Sequence, residues 1–217
     1  MGKMIPDEVD LVLIDGALDR RSSAMPGLAD GIILATGAVI GNTEDLVVKR
    51  TMAEIEKLTL PEVKEAGLRK ATKEAYLAGN GGIVLQDGNV LPFKTGTFFG
   101  NINEIKKVKP EEVKAIILGG ALVNGFVDKL IQYTDIKNCY LIVRDGTRVF
   151  LDKRKLNLLE KRRIKLQVYN PINLIAVTVN PVSPYGVCLN SCKLVCRLRK
   201  ELKDIPVYDI MSEEYFH

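Results

Sequence analysis

The sequence predicts an α/β protein with a mainly parallel sheet, helices on both faces and a small glycine-rich β insertion. Three observations predict it. Apolar runs of strand length recur along the 217 residues and alternate with stretches of helical period. Several of these runs close on a glycine, which lets the chain turn sharply at a strand exit. Between them, Leu77–Asn101 breaks the alternation with clustered glycines and short apolar pieces.

The first strand expected is Val9–Ile14. Its apolar run ends in Asp15-Gly16, as a strand buried in a parallel sheet would. Gly31–Ala35 is the second. Thr43–Leu58 then puts Val48, Met52 and Ile55 on one helical face, with Asn42 as the expected cap and Glu44 and Asp45 suited to the positive first turn. In the glycine-rich middle, Asp87-Gly88 between two apolar pieces predicts a hairpin. Pro110 suits the first turn of a helix. Beyond it, strands are expected at Ala115–Leu118, Cys139–Val143, Lys165–Tyr169, Leu174–Val179 and Pro206–Ile210. Helices are expected at Leu122–Tyr133, Leu151–Ile164 and Cys188–Leu202, the first with Val123, Phe126, Val127, Leu130 and Ile131 on one face. This order divides the chain into a first α/β segment at 1–76, a β-rich insertion or connector at 77–108 and a second α/β segment at 109–217.

Composition narrows the function classes. A hydrophobic share of 47% and a charged share of 27% suit a globular protein with a sizeable core. A net charge of +4 is too small to argue for nucleic acid, and no apolar run approaches a membrane span. The N-terminus lacks the apolar core of a secretion signal, and the four cysteines suit reduced thiols, so the expectation is a cytoplasmic protein. The single histidine is His217, which leaves histidine-based nucleophile triads without a base. Neither G-x-S-x-G nor a G-x-G-x-x-G after a strand occurs.

The candidate site is a strand-end rim. Asp15-Gly16-Ala17, Thr36-Gly37-Ala38 and Gly119-Gly120-Ala121 each follow an apolar strand. On one parallel sheet, all three turns would share the carboxyl edge where such sheets hold ligands. Compact strand exits beneath a helix would read the same way. Asp15 suits a magnesium ligand or a turn cap, and Asp19 suits the same roles. Arg20 and Arg21 suit a phosphate or carboxylate, or a solvated surface pair. Ser22 and Ser23 suit donors to phosphate oxygens, or a cap. Asn180, opening Asn180-Pro-Val-Ser-Pro-Tyr-Gly186, suits an exit loop at the same rim or a rigid turn into the last helix.

Two other clusters invite chemistry. Cys188, Cys192 and Cys196 share a helical face at a spacing unlike the tight pairs of common clusters. Their other reading is as small hydrophobes on the helix's apolar face. Lys153–Lys165 is basic with only Glu160 against it and has no aromatic platform for bases, which suits a solvated face or an acidic protein partner.

The motifs Leu13–Ala24, Asp30–Ala38 and Val179–Gly186 resemble a family linked to amino-acid fermentation. It is the reactivating-factor subunit family for lysine 5,6-aminomutase and ornithine 4,5-aminomutase, and the resemblance is to the C-terminal portion of that subunit. These mutases use adenosylcobalamin and pyridoxal phosphate. The resemblance implies a P-loop-related fold and ATP-driven exchange of damaged cobalamin, with Asp15 matching the strand-end acid near magnesium. This sequence departs from the family pattern, since it carries no G-x-x-x-x-G-K-[ST] phosphate loop. The implied function is an accessory subunit that shares magnesium and ATP with a partner, either a P-loop-bearing polypeptide or the mutase. An open sheet edge would also offer a route to self-association. The alternatives are a stand-alone α/β enzyme or binding protein for a small phosphorylated or carboxylated ligand at the Gly-Ala rim, and a purely structural partner-binding domain.

Overall fold

A computed structural model describes residues 10–14, 26, 29–94, 96 and 98–212. The chain is an α/β protein that divides into two compact units, Met1–Thr59 with Ile172–His217, and Leu60–Pro171. These units do not follow the three consecutive segments drawn from composition. The reason is one pairing: a strand near the N-terminus takes its partner from the C-terminal quarter of the chain.

In the first unit, β1 (Ile32–Gly37), β9 (Leu174–Asn180) and β10 (Val207–Asp209) form a parallel sheet in the order β1-β9-β10. Parallel neighbours need a crossover, and α6 (Ser191–Glu201) supplies the one from β9 to β10. α1 (Glu44–Leu58) follows β1 and packs against α6. Val47, Val48 and Ile55 of α1 meet Leu194, Val195 and Leu198 of α6 over Val177, Val179 and Val207. The sheet's other face carries exposed Ile33 and Ile175, so the described helices of this unit cover one face.

The second unit contains α2 (Ala66–Leu77), β2 (Gly81–Leu85), β3 (Val90–Pro92), α3 (Phe98–Ile105), β4 (Val113–Leu118), β5 (Leu122–Val123), α4 (Asn124–Tyr133), β6 (Tyr140–Val143), β7 (Val149–Phe150), α5 (Lys153–Lys161) and β8 (Lys165–Val168). Its main sheet has the order β3-β2-β4-β6-β8; β4, β6 and β8 are parallel, and β2 is antiparallel to both its neighbours. β4 explains the layering. Ile116 and Leu118 face the core under α3, α4 and α5, while Ala115 and Ile117 face α2. A strand buried on both sides reads as a continuous apolar run, which is why Ala115–Leu118 stood out in the sequence.

Several expectations change. Leu11–Ile14 forms no strand, and Leu13 is 82% exposed. β1 finds its neighbour in β9, and no described strand offers Leu11–Ile14 a ladder. The expected hairpin forms, with Asn89 N–H donating to Asp87 Oδ1 at 2.9 Å and Gly88 at φ +91°, but β2 also pairs with β4 and belongs to the main sheet. α2 was not expected, and α3 lies inside the segment expected to be β-rich. Pro110 opens a single 3-10 turn, Pro110–Glu112. The cap of α1 is Thr43, whose hydroxyl accepts Leu46 N–H at 3.3 Å, in place of Asn42. Cys188, Cys192 and Cys196 are exposed, and the buried face of α6 is Leu194, Val195 and Leu198. The cysteines therefore do not serve as its small hydrophobes. Among the described residues, no helix is long and apolar enough to cross a membrane.

Cys139 is the exception among the thiols. It is buried, and burial pushes its pKa up to about 12. A thiol reagent at mildly alkaline pH will modify Cys188, Cys192 and Cys196 in the native protein and reach Cys139 only on unfolding. Peptide mapping of the labelled protein reads this directly.

Candidate functional site

The best-defined strand-end feature of the first unit is where β1 leaves the sheet beside β9. The register aligns Gly37 with Asn180, and Ala38 N–H donates to the Asn180 carbonyl at 2.9 Å. Gly37 has φ +151°, and a side chain there would run into the Asn180 carbonyl. Glycine is thus required at Gly37 by backbone approach, whatever else the turn does.

Beyond β9 the chain folds back on itself. Val182 N–H donates to Asn180 Oδ1 at 3.0 Å, and Ser183 N–H donates to the Val187 carbonyl at 2.8 Å. Leu189 N–H closes the loop on the Pro181 carbonyl at 2.9 Å. The Asn180 side chain is therefore a turn-former of the kind asparagine favours. Ser183 is buried, while Tyr185 at the tip is 83% exposed. Tyr185 is the most exposed large side chain of this loop.

Two helix N-termini flank this edge. Asn190 caps α6 by accepting Lys193 N–H at 2.9 Å, and its own N–H donates to Glu44 Oε1 at 3.2 Å. Glu44, in the first turn of α1, thereby ties the two helix starts together. Hydrogen bonds from its own backbone and from Asn190, aided by Lys193 and Arg197, hold its carboxyl below the ordinary 4.5. Asp209, at the end of β10, accepts from the Ser191 hydroxyl and from Met211 N–H. Both carboxylates are committed to internal hydrogen bonds.

The expected rim is only partly assembled here. Asp15, Gly16, Asp19, Arg20, Arg21, Ser22 and Ser23 lie outside the described residues. Thr36 is buried, and its hydroxyl is 2.6 Å from that of Thr51, so it is a core hydrogen bond and not a ligand group. Gly37 and Asn180 do meet. Gly119 and Gly120 follow β4 in the second unit, and β4 belongs to a different sheet from the β1 that precedes Gly37. Gly119 is confined by the Asn80 backbone, 2.9 Å from where a Cβ would stand, whereas Gly120 faces open space. Among the described residues, no group of three His, Cys, Asp or Glu side chains could hold a metal ion, and the cysteines of the α6 region form no such group. Sequence reading missed the Glu44–Asn190 tie; its one visible signal was an acid in the first turn of α1.

No family model matches the chain, and the searches of curated proteins and of solved structures found no match either. The resemblance described above therefore stands on its three motifs.

Two outcomes test this edge. Gly37→Ala will destabilise the first unit by about 3 kcal/mol or more, while Gly120→Ala will stay within about 0.5 kcal/mol, measured by chemical denaturation. Glu44 has a lowered pKa in the folded state, so its contribution is complete above the ordinary 4.5 and is lost as pH falls through the folded value. Glu44→Gln will accordingly be less stable than the parent at neutral pH, and the gap will close in acid. Parallel melts across that pH range check it.

Proposed function

We propose that this chain is an accessory subunit of the reactivating-factor type, acting on a cobalamin-dependent amino-acid aminomutase and completing a nucleotide site together with another polypeptide. One observation carries the reading. Two of the three motifs that make the resemblance, Asp30–Ala38 and Val179–Gly186, lie far apart in sequence and meet at the carboxyl edge of one parallel sheet, Gly37 against Asn180.

The third motif, Leu13–Ala24, precedes Asp30–Ala38 in the sequence, and from Asp15 onward it lies outside the described residues. In this reading Asp15 orients magnesium, Arg20 and Arg21 meet phosphate or the partner, and the stiff loop that carries Tyr185 contacts the other polypeptide. Magnesium and ATP, when bound, would supply the free energy for exchanging a damaged cobalamin. The partner supplies the phosphate loop that this sequence does not contain.

Reconstitution tests the reading. Lysine 5,6-aminomutase or ornithine 4,5-aminomutase, inactivated by turnover, would be incubated with Mg-ATP, fresh adenosylcobalamin, a P-loop-bearing polypeptide and this chain. Mutase activity should return only when all are present, and Asp15→Ala should abolish the recovery. Recovery that is equal with and without this chain would sink the proposal.

A further inference from the structure

The second unit has a strand-end rim of its own, and its side chains were not singled out by any motif. β4, β6 and β8 are parallel, so their carboxyl ends lie at one edge. The last turn of α2 reaches that edge too, because it leads into β2, whose Gly81 pairs with Leu118 at the end of β4. Four side chains converge there. Arg144 follows β6, Tyr169 follows β8, and Arg69 and Tyr76 come from α2. The backbone fixes them: Tyr169 N–H donates to the Val143 carbonyl at 3.0 Å and Asn170 N–H to the Arg144 carbonyl at 2.8 Å.

The four interleave. The Tyr76 and Tyr169 rings meet edge to face at 5.7 Å. The Arg144 guanidinium lies 4.6 Å from the Tyr76 ring centre, and that of Arg69 lies 4.9 Å from the Tyr169 ring centre. A guanidinium placed over a ring keeps its edge donors for other partners.

Among the described residues, charge pairing leaves one cation of this cluster over. Arg69 is paired with Glu62. Arg148 lies 3.9 Å from Asp145, which also accepts Thr147 N–H at 3.0 Å. Arg144 has no carboxylate partner among the described residues. Its Nε is buried without a hydrogen-bond partner, and so is the hydroxyl oxygen of Tyr76 beside it. Unmet buried donors are costly, and two on stacked side chains from different elements call for an acceptor. Burial raises the Tyr76 pKa, so the phenol keeps its proton at neutral pH and acts as a donor.

We propose that this rim binds an oxyanion, a phosphate or carboxylate group, between the Arg144 guanidinium and the Tyr76 hydroxyl. An unmatched cation plus a neutral donor fits an anion with at least two acceptor oxygens; a cationic or apolar ligand would leave both donors unmet. The position, at the carboxyl ends of parallel strands, is where such sheets receive ligands. The proposal stands apart from the accessory-subunit reading, since it uses only residues of the second unit.

The test is a titration of the full chain with inorganic phosphate and, separately, with acetate, against sodium chloride of equal ionic strength. Arginine Nε–H signals and thermal melting are followed together. The Arg144 signal, assigned through Arg144→Lys, should shift and saturate with one of the two oxyanions, and that one names the ligand's anionic group. Tyr76→Phe should weaken the binding about fivefold, the worth of one hydrogen bond. Arg144→Gln should abolish it, and Arg154→Gln on exposed α5 should leave it unchanged. If Arg144→Gln does not fold, the parent titration and Tyr76→Phe still decide. An Arg144 signal that moves no more with phosphate or acetate than with chloride overturns the proposal.

Discussion

The first unit depends on the parallel pairing of β1 with β9. Without it, Ile32–Gly37 would be a strand with no ladder, and α1 would have no sheet to cover. The closest point of the pairing is the approach of Gly37 to the Asn180 carbonyl, which admits no side chain. From there the constraint spreads outward. The register of β9 sets where the Asn180 turn begins, the turn sets where α6 starts, and the Asn190–Glu44 hydrogen bond returns the constraint to α1. Such a contact between segments distant in sequence must offset a loop-closure cost.

The second unit is built the other way. It is continuous in sequence, its central strands are buried on both faces, and its helices close over both sides. That division of labour explains why the two rims differ. In the first unit the edge is dominated by backbone geometry, with its carboxylates already engaged by Asn190, Ser191 and Met211. In the second the edge is dominated by side chains, two tyrosines interleaved with arginines, and Arg144 has no carboxylate partner among the described residues.

Much of the α/β order was legible because periodicity reports burial. The face of α4 through Phe126, Val127 and Leu130 and the run Ala115–Leu118 both follow from what they touch. Other elements were hidden for physical reasons. The Ile102 and Ile105 stripe of α3 lies in a glycine-rich stretch that reads as strand and turn. Leu11–Ile14 has strand composition, but a strand needs a neighbour, and composition does not say whether one is present. The three Gly-Ala turns look alike in sequence, yet two of the strands before them entered different sheets, a distinction fixed only by long-range pairing. The Arg144–Tyr76 arrangement could not be seen at all, since its members come from separate elements and share no motif.

The proposed accessory role requires that this chain contribute part of a nucleotide site and not a whole one. Calorimetric titration with Mg-ATP tests it most directly, run on the chain alone and on the chain mixed with a P-loop-bearing partner. The chain alone should give no Asp15-dependent heat of binding at millimolar nucleotide, whatever the Arg144 rim takes up, and the mixture should bind saturably. Tight binding by the isolated chain, lost in Asp15→Ala, would contradict it and would make the first unit a self-sufficient nucleotide site.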